Sequence, residues 1–130
     1  MPLKVDFHHD LAYTDVMSDR QVLPLAPAEL TALSEIRRRV RAQFAIVQFV
    51  LYGSAVRGEA DAESDIDLLI VTARPLARPE RHKITDIVFH VNLEYGTNSS
   101  TLVVDRESWQ TGAISVLPIH DKVLREGLAV

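Results

Sequence analysis

Apolar residues in the middle of the chain form two dense runs that are typical of buried β-strands. The first run, IVQFVLY, occupies residues 46–52 and stops at Gly53. The second run, DIDLLIV, occupies residues 65–71 and has aspartates at its first and third positions. β-Branched and aromatic residues bounded by a glycine or a polar stretch favour strands that are buried in a sheet. The pattern predicts two neighbouring strands, most simply an antiparallel pair that brings Gly53 and Asp65 to the same edge.

Longer segments on either side of these strands carry apolar residues at helical spacing. Pro27 suits the first turn of a helix, and apolar residues then recur at steps of three and four up to Phe44. A second helix is predicted over residues 80–95, between a proline-broken loop and Gly96 as its stop. We expect one stripe of each helix to be buried. The predicted stripes are Leu30, Leu33, Ile36, Val40 and Phe44 in the first helix and Ile84, Ile87, Val88, Val91 and Tyr95 in the second.

The remaining segments are shorter and less regular. Residues 1–26 show no clear period and are interpreted as an N-terminal arm, followed by one domain at residues 27–130. Residues 100–105 are predicted to form a third strand, residues 119–125 a short helix and residues 128–130 a terminal strand. The expected fold class is α/β (α+β), a small mixed β-sheet flanked by helices.

Composition and charge narrow the classes of function. The 130 residues are 47% hydrophobic, which fits one globular domain, and no apolar run reaches the ~20 residues that span a bilayer. The N-terminus lacks the regions of a signal peptide, so we expect a cytoplasmic protein with no membrane partner. The absence of cysteine excludes disulfides and thiolate metal sites. A formal net charge of -4 argues against extended nucleic-acid binding and favours a small substrate or a protein partner.

The candidate chemistry lies where the two predicted strands meet. Gly53 lacks a Cβ, so a phosphate can approach the backbone, and Ser54 offers a hydroxyl and an N–H. The period of two along the second strand places Asp65 and Asp67 on the same face. Two carboxylates aimed at one point repel each other unless a cation lies between them. Mg²⁺ takes carboxylate oxygens together with the phosphate oxygens of a nucleotide, so the stretch predicts a magnesium-nucleotide site.

Two other phosphate or metal motifs nearly match this stretch and are rejected. The glycine spacing that starts at Gly53 is that of a P-loop, but Glu59 stands where the phosphate-binding lysine is required. The alternating acidic residues resemble a calcium-binding EF-hand loop, but Ile66 replaces the turn glycine and Thr72 replaces the bidentate glutamate. Neither motif therefore explains the stretch.

The whole stretch resembles the signature of the DNA polymerase beta-like nucleotidyltransferases, and especially the minimal, antitoxin-type members. The residues that carry the resemblance are Gly53-Ser54, Arg57-Gly58 and Ser64-Asp65-Ile66-Asp67-Leu68-Leu69. The resemblance implies the palm fold of that family and transfer of a nucleoside monophosphate from an NTP, with ATP expected, to an acceptor hydroxyl. It implies two Mg²⁺ ions as cofactors. The implied catalytic and metal-binding residues are Asp65 and Asp67, and the implied nucleotide-binding residues are Gly53, Ser54 and Arg57.

Two features of the implied site are left open by the sequence. Arg57 can face the phosphates or pair with Glu59 or Asp61 at the surface. Active members of the family usually supply a third carboxylate from a later strand, but here residues 98–101 are an amide and three hydroxyls. Such groups neither carry the charge nor abstract a proton at neutral pH. Three other acidic residues, Asp86, Glu94 and Asp105, are not obviously placed to replace that carboxylate.

Three hypotheses about function follow from the resemblance. The first is an enzyme that adenylylates a protein partner, such as a helical HEPN-type toxin. The second is an antitoxin that keeps the fold and neutralises such a partner by contact alone. The third is a small-molecule nucleotidyltransferase of the kind that acts on aminoglycosides, which a single domain disfavours because it offers no second wall for the acceptor pocket. For the same reason we expect a homodimer or a complex with another protein.

Overall fold

The computed structural model describes residues 23–54, 56 and 66–130, which form an α+β fold around one mixed sheet. This confirms the predicted fold class. The sheet consists of β1 (Ile46–Tyr52), β2 (Ile66–Thr72), β3 (Ser99–Asp105) and β4 (Leu128–Ala129). The helices are α1 (Pro27–Gln43), α2 (Arg78–Tyr95), α3 (Arg106–Gln110), a 3-10 helix (Ala113–Val116) and α4 (Pro118–Glu126).

The strands lie in the order β3-β2-β1-β4. β1 and β2 are antiparallel, as predicted, with Tyr52 opposite Asp67. β2 and β3 are parallel, with Asp67 opposite Ser100, because α2 carries the chain back to the edge at which β2 began. β4 pairs with the other side of β1 in the antiparallel sense. The end of β1 and the starts of β2 and β3 therefore share one edge.

Each face of the sheet is covered by a separate hydrophobic cluster. One cluster packs α1 and α2 onto the face that carries Phe49 and Leu68. The other cluster lies on the face of Val50 and Leu69 and includes Trp109 of α3 and Val123 of α4. β1 and β2 are almost continuously apolar because both of their faces are buried. Asp67 lies on the second face, since it alternates with Leu68 and precedes Leu69 by two residues.

The first helix begins at Pro27, as predicted, and ends at Gln43, but its buried stripe differs at one end. Leu33, Ile36 and Val40 are buried, and Phe44 packs against them in part. Leu30 was expected in this stripe, but 40% of it is exposed, and Ala32 is fully buried instead. The prediction for Leu30 was wrong because the stripe follows the helix face that α2 covers rather than every apolar residue.

The second helix begins two residues before the predicted start. Pro79 lies in its first turn, where a missing N–H costs no helical hydrogen bond. Glu80 reaches back to accept the N–H of Ala77 at 3.0 Å, which helps to fix this start. Gly96 ends the helix with φ 66°, as predicted, because the left-handed conformation favours glycine.

The last segments also follow the sequence pattern closely. β3 begins at Ser99, one residue earlier than predicted, and α4 extends the predicted helix by one residue at each end. The terminal strand forms at Leu128–Ala129. Most of the predicted arm at residues 1–26 lies outside the described residues. Within the described part of the chain, no helix combines the length and apolar character required to cross a membrane.

Candidate functional site

The chain leaves β1 through a tight turn at Gly53. Gly53 has φ +85°, a conformation that costs L-residues about 1–2 kcal/mol, and it is buried. Its carbonyl oxygen accepts the N–H of Val56 at 3.1 Å, which closes the turn. Ser54 follows and is half-buried, so its hydroxyl and N–H belong to the same turn. This is the geometry in which a glycine lets an anion approach the backbone.

Asp67 lies directly against this turn. It is the second residue of β2 and is half-buried. A Cβ placed on Gly53 would overlap Oδ2 of Asp67 and would stand 3.2 Å from its Cγ. Glycine is therefore required at residue 53 for two reasons, its backbone conformation and the space that the carboxylate occupies. The same contact places an acidic group beside the turn.

The other predicted site residues cannot be placed in the same way. Asp65 and Arg57 lie outside the described residues, so their roles remain predictions from the sequence. Since Asp65 precedes Asp67 by two residues, strand periodicity would place both side chains on one face. Gly53, Ser54 and Asp67 are thus the predicted residues that the described structure brings to a common edge.

Tyr52 reports the electrostatic environment of Asp67. The two residues are partners across β1 and β2. Burial of Tyr52 raises the pKa of its phenol above the ordinary value of 10.0, and the negative charge of Asp67 raises it further. The phenol therefore stays neutral and adds no negative charge to the site at physiological pH.

A hydroxyl, not a carboxylate, stands beside Asp67 on β3. Ser100 is its in-register neighbour, and the start of β3 is tied to β2 by a hydrogen bond from the N–H of Ile66 to the carbonyl oxygen of Asn98 at 2.9 Å. Parallel pairing places Ser100 and Asp67 on the same face. Ser100 is exposed at this edge.

The three other acidic residues considered from the sequence lie elsewhere. Asp105 pairs with Thr72 at the opposite end of β2 and accepts the N–H of Ser108 at 3.0 Å as the N-cap of α3. Hydrogen bonds from Ser108 also lower the pKa of Asp105. Glu94 forms an ion pair with Arg39 at 3.0 Å, and Asp86 is exposed on α2. None of these three is the missing carboxylate.

Glu126 is a site residue that the sequence analysis missed. Its Oε1 accepts the N–H of Gly53 at 3.1 Å in a partly buried hydrogen bond. The last turn of α4 and the start of β4 place it there, although 73 residues separate it from Gly53. No local motif around residue 126 indicates this contact. Only the expectation that the terminal strand pairs with β1 could have pointed to it.

The donor set at this edge suits a hard cation. Within residues 23–54, 56 and 66–130, no three His, Cys, Asp or Glu side chains are grouped closely enough to hold a metal ion. Asp67 offers carboxylate oxygens, and Ser54 and Ser100 offer hydroxyls at the same edge. With Asp65 as the predicted second carboxylate, all of these ligands are oxygens, as Mg²⁺ prefers. The residues present therefore fit magnesium.

Comparison of the sequence with known proteins identifies a family. The family model described as "Nucleotidyltransferase domain" matches residues 33–111, which include β1, β2 and β3. A protein of Methanocaldococcus jannaschii, provisionally named protein adenylyltransferase MJ1305, is 33% identical over 89 residues. That match covers 65% of this chain and 60% of the relative's length. The chain therefore corresponds to less than two thirds of that protein.

Two solved structures share the fold. A crystal structure from Sulfolobus solfataricus, provisionally described as a nucleotidyltransferase, has a TM-score of 0.52 at 18% identity and covers 77% of each chain. A structure described as a toxin-antitoxin with AMP-PNP has a TM-score of 0.50 at 16% identity. It covers 76% of this chain and 69% of the other. At these identities the similarity establishes the architecture alone.

Proposed function

Since this chain belongs to the nucleotidyltransferase family, we propose that it moves a nucleoside monophosphate, AMP in the first instance, from an NTP to a hydroxyl of a protein partner. The observation that carries this proposal is the contact between Asp67 and the Gly53 turn. It places an acidic group beside a backbone turn that a phosphate can approach. The family match supports the reaction class, and the relative named as a protein adenylyltransferase supports the choice of AMP and of a protein acceptor.

In the proposed reaction the turn binds the triphosphate tail. The Ser54 hydroxyl and N–H donate hydrogen bonds to the β and γ phosphates, and Arg57 adds positive charge there. Asp65 and Asp67 would hold magnesium, which when bound would supply charge neutralisation to the transferred phosphate. A bond forms between the acceptor oxygen and the α-phosphorus, the bond to the β-phosphate oxygen breaks, and pyrophosphate leaves. The proton of the acceptor hydroxyl passes to solvent.

A toxin is the proposed protein partner. The structural relative with a bound ATP analogue is described as a toxin-antitoxin, which supports a role for this fold in such pairs. We propose a helical HEPN-type toxin as the acceptor and the cytoplasm as the compartment. Such an acceptor would enter beside the exposed Ser100, because α3 follows β3 at the opposite end of the sheet.

A second function is favoured by one specific observation. The residue beside Asp67 on β3 is Ser100, which carries no charge and takes no proton at neutral pH. An antitoxin that neutralises its partner by contact alone needs no third carboxylate. In this second proposed function, the chain binds Mg-ATP but does not transfer the nucleotide to its partner.

Incubation with α-labelled ATP and Mg²⁺, together with a helical HEPN-type toxin, tests the proposal. We expect label on the partner with the wild type and at least about a 100-fold loss with Asp67→Asn. Asp86→Asn, an exposed acid on α2, is the matched control and should retain full transfer. Neutralisation of the partner that persists in Asp67→Asn, without any label, would establish the binding-only function instead. Absence of both label and Mg-ATP binding in the wild type would refute the proposal.

A further inference from the structure

We propose that Glu126 is a positioning residue of the site, whose carboxylate holds the Gly53 amide and so sets the turn that receives the nucleotide phosphates. The inference rests on the proposed function, because it assigns a task within the same site. It also explains why the C-terminal segment is built into the sheet beside β1. Glu126 does not act as a third metal-binding carboxylate in this proposal.

Strand register places Glu126 next to Gly53. β4 pairs with β1 so that Leu51 lies opposite Leu128. Gly53 follows Leu51 by two residues, and Glu126 precedes Leu128 by two. Continuing the same antiparallel register therefore brings Gly53 opposite Glu126. The backbone pairing ends there because residue 126 is still the last residue of α4. In a longer strand pair, the Gly53 N–H would donate to a backbone carbonyl oxygen. Here it donates to the side chain of Glu126 instead.

The backbone on both sides of Glu126 is fixed. The N–H of Gly127 donates to the carbonyl oxygen of Val123 at 2.7 Å, which closes the end of α4. The N–H of Val130 donates to the carbonyl oxygen of Phe49 at 3.0 Å, which locks the end of the chain to β1. Leu128 and Val130 are buried. The carboxylate therefore reaches the turn from a rigid base.

The hydrogen bond matters because the Gly53 turn is constrained from two sides. Asp67 contacts the turn from β2, and Glu126 holds it from the opposite edge of β1. A carboxylate is a strong acceptor for a backbone N–H, and a partly buried N–H without an acceptor is costly. Removal of Glu126 would let the turn relax and would move the Ser54 donors away from the phosphates.

Because the Gly53 N–H already donates to Glu126, it does not donate to a nucleotide phosphate in this proposal. With that N–H bound to Glu126, the N–H and hydroxyl of Ser54 are the donors that the described part of the turn offers to a phosphate. This sharpens the assignment of phosphate contacts. Glu126 orients the turn through Gly53, whereas Ser54 is the residue that touches the ligand.

Two substitutions of Glu126 distinguish the effect of its hydrogen-bond acceptor from the effect of its negative charge. Glu126→Ala removes the acceptor, and Glu126→Gln keeps an acceptor oxygen without the negative charge. We expect Glu126→Ala to weaken Mg-ATP binding about tenfold, which corresponds to about 1.4 kcal/mol, and to speed hydrogen exchange of the Gly53 amide. Glu126→Gln should bind within about threefold of the wild type and keep the amide protected. Asp121→Ala, an exposed acid on the same helix, is the control.

Calorimetry with Mg-ATP and amide exchange measured by NMR distinguish the outcomes. Unchanged or tighter Mg-ATP binding in Glu126→Ala would overturn the inference, and tighter binding would identify the carboxylate as a competitor of phosphate. Absence of Mg-ATP binding in the wild type would count against the proposed function, not against this contact. In that case a Gly53 amide that exchanges equally fast in wild type and Glu126→Ala would overturn the positioning role. If the alanine variant does not fold, Glu126→Asp, whose shorter side chain draws the acceptor back, takes its place, and unchanged Mg-ATP binding with an equally protected Gly53 amide overturns the inference.

Discussion

Asp67 of β2 and Ser100 of β3 are direct neighbours across a parallel strand pair. This relationship puts a hydroxyl beside Asp67, at the start of the strand where the family resemblance implies a third carboxylate. Neighbouring strands lie about 4.8 Å apart, so a carboxylate at residue 100 would interact strongly with Asp67. The pair therefore offers a direct way to alter the charge of the site without moving the backbone.

Ser100→Asp should increase the affinity for Mg²⁺ about tenfold because it adds a charged ligand beside Asp67. Without Mg²⁺, the added repulsion should lower the melting temperature, and Mg²⁺ should restore it. Melting curves across a magnesium titration measure both effects. Ser100→Asn, which has nearly the same shape without the charge, is the control. An equal response to magnesium in the two variants would contradict this interpretation.

Gly53→Ala should lower the free energy of unfolding and abolish Mg-ATP binding. The new methyl group meets Oδ2 of Asp67, and the backbone is in the left-handed region with φ +85°. Gly96→Ala is a matched control, since Gly96 has φ +66° and no atom lies within 4 Å of the position that a Cβ would take there. It should lose about 1 kcal/mol from backbone strain alone. Urea denaturation and calorimetry would refute the steric argument if both variants lost the same stability and both still bound Mg-ATP.

Tyr52 should serve as an optical reporter of cation binding at Asp67. Burial and the charge of Asp67 raise the pKa of the Tyr52 phenol. A cation bound at Asp67 offsets the negative charge and should bring this pKa down, and Asp67→Asn should do the same without a cation. Ultraviolet titration of phenolate, with Tyr52→Phe to identify the signal, measures the shift. A Tyr52 titration in Asp67→Asn that matches the wild type would contradict the coupling between the two residues.

Glu80 should make part of the stability depend on acidic pH. The Arg74 guanidinium, 2.7 Å away, and the N–H of Ala77 lower the pKa of Glu80 from 4.5 to about 2. Because the folded-state pKa is depressed, this contribution is complete above about pH 4.5 and is lost as the pH falls through about 2. Glu80→Gln should flatten the dependence of stability on pH in that range. Glu29→Gln, which alters the equivalent capping hydrogen bond at the start of α1, is the control for a lost helix cap. Urea midpoints between pH 2 and pH 6 measure the difference.

The strands and helices were readable from the sequence because their signals are local. β1 and β2 are apolar runs that end at a glycine or begin at aspartates, and Gly96 marks the end of α2. The predictions were wrong where tertiary packing determines which residues are buried. Leu30 has the right spacing for the α1 stripe, yet the neighbouring helix does not cover it. The parallel pairing of β3 with β2 likewise depends on how α2 crosses the sheet.

The candidate site was only partly readable for the same reason. Gly53, Ser54 and Asp67 are close in sequence and carry a recognisable spacing. Glu126 carries none, since its contact with Gly53 depends on the packing of α4 and on the register of β4. The sequence alone also left open which residue of β3 lies beside Asp67. The register of β2 and β3 identifies it as Ser100, one of four polar residues at positions 98–101.

The pairing of Gly53 with Glu126 also bears on the order of events during synthesis. The strand that ends at the turn leaves the ribosome long before the glutamate that holds it, since 73 residues separate the two. Closing so long a loop carries an entropic cost that only the finished sheet offsets. A nascent chain halted before residue 126 would present Asp67 and the Gly53 turn without the Glu126 contact. The geometry of the Gly53 turn should therefore be completed only after residue 126 has emerged, and not as the first strands emerge.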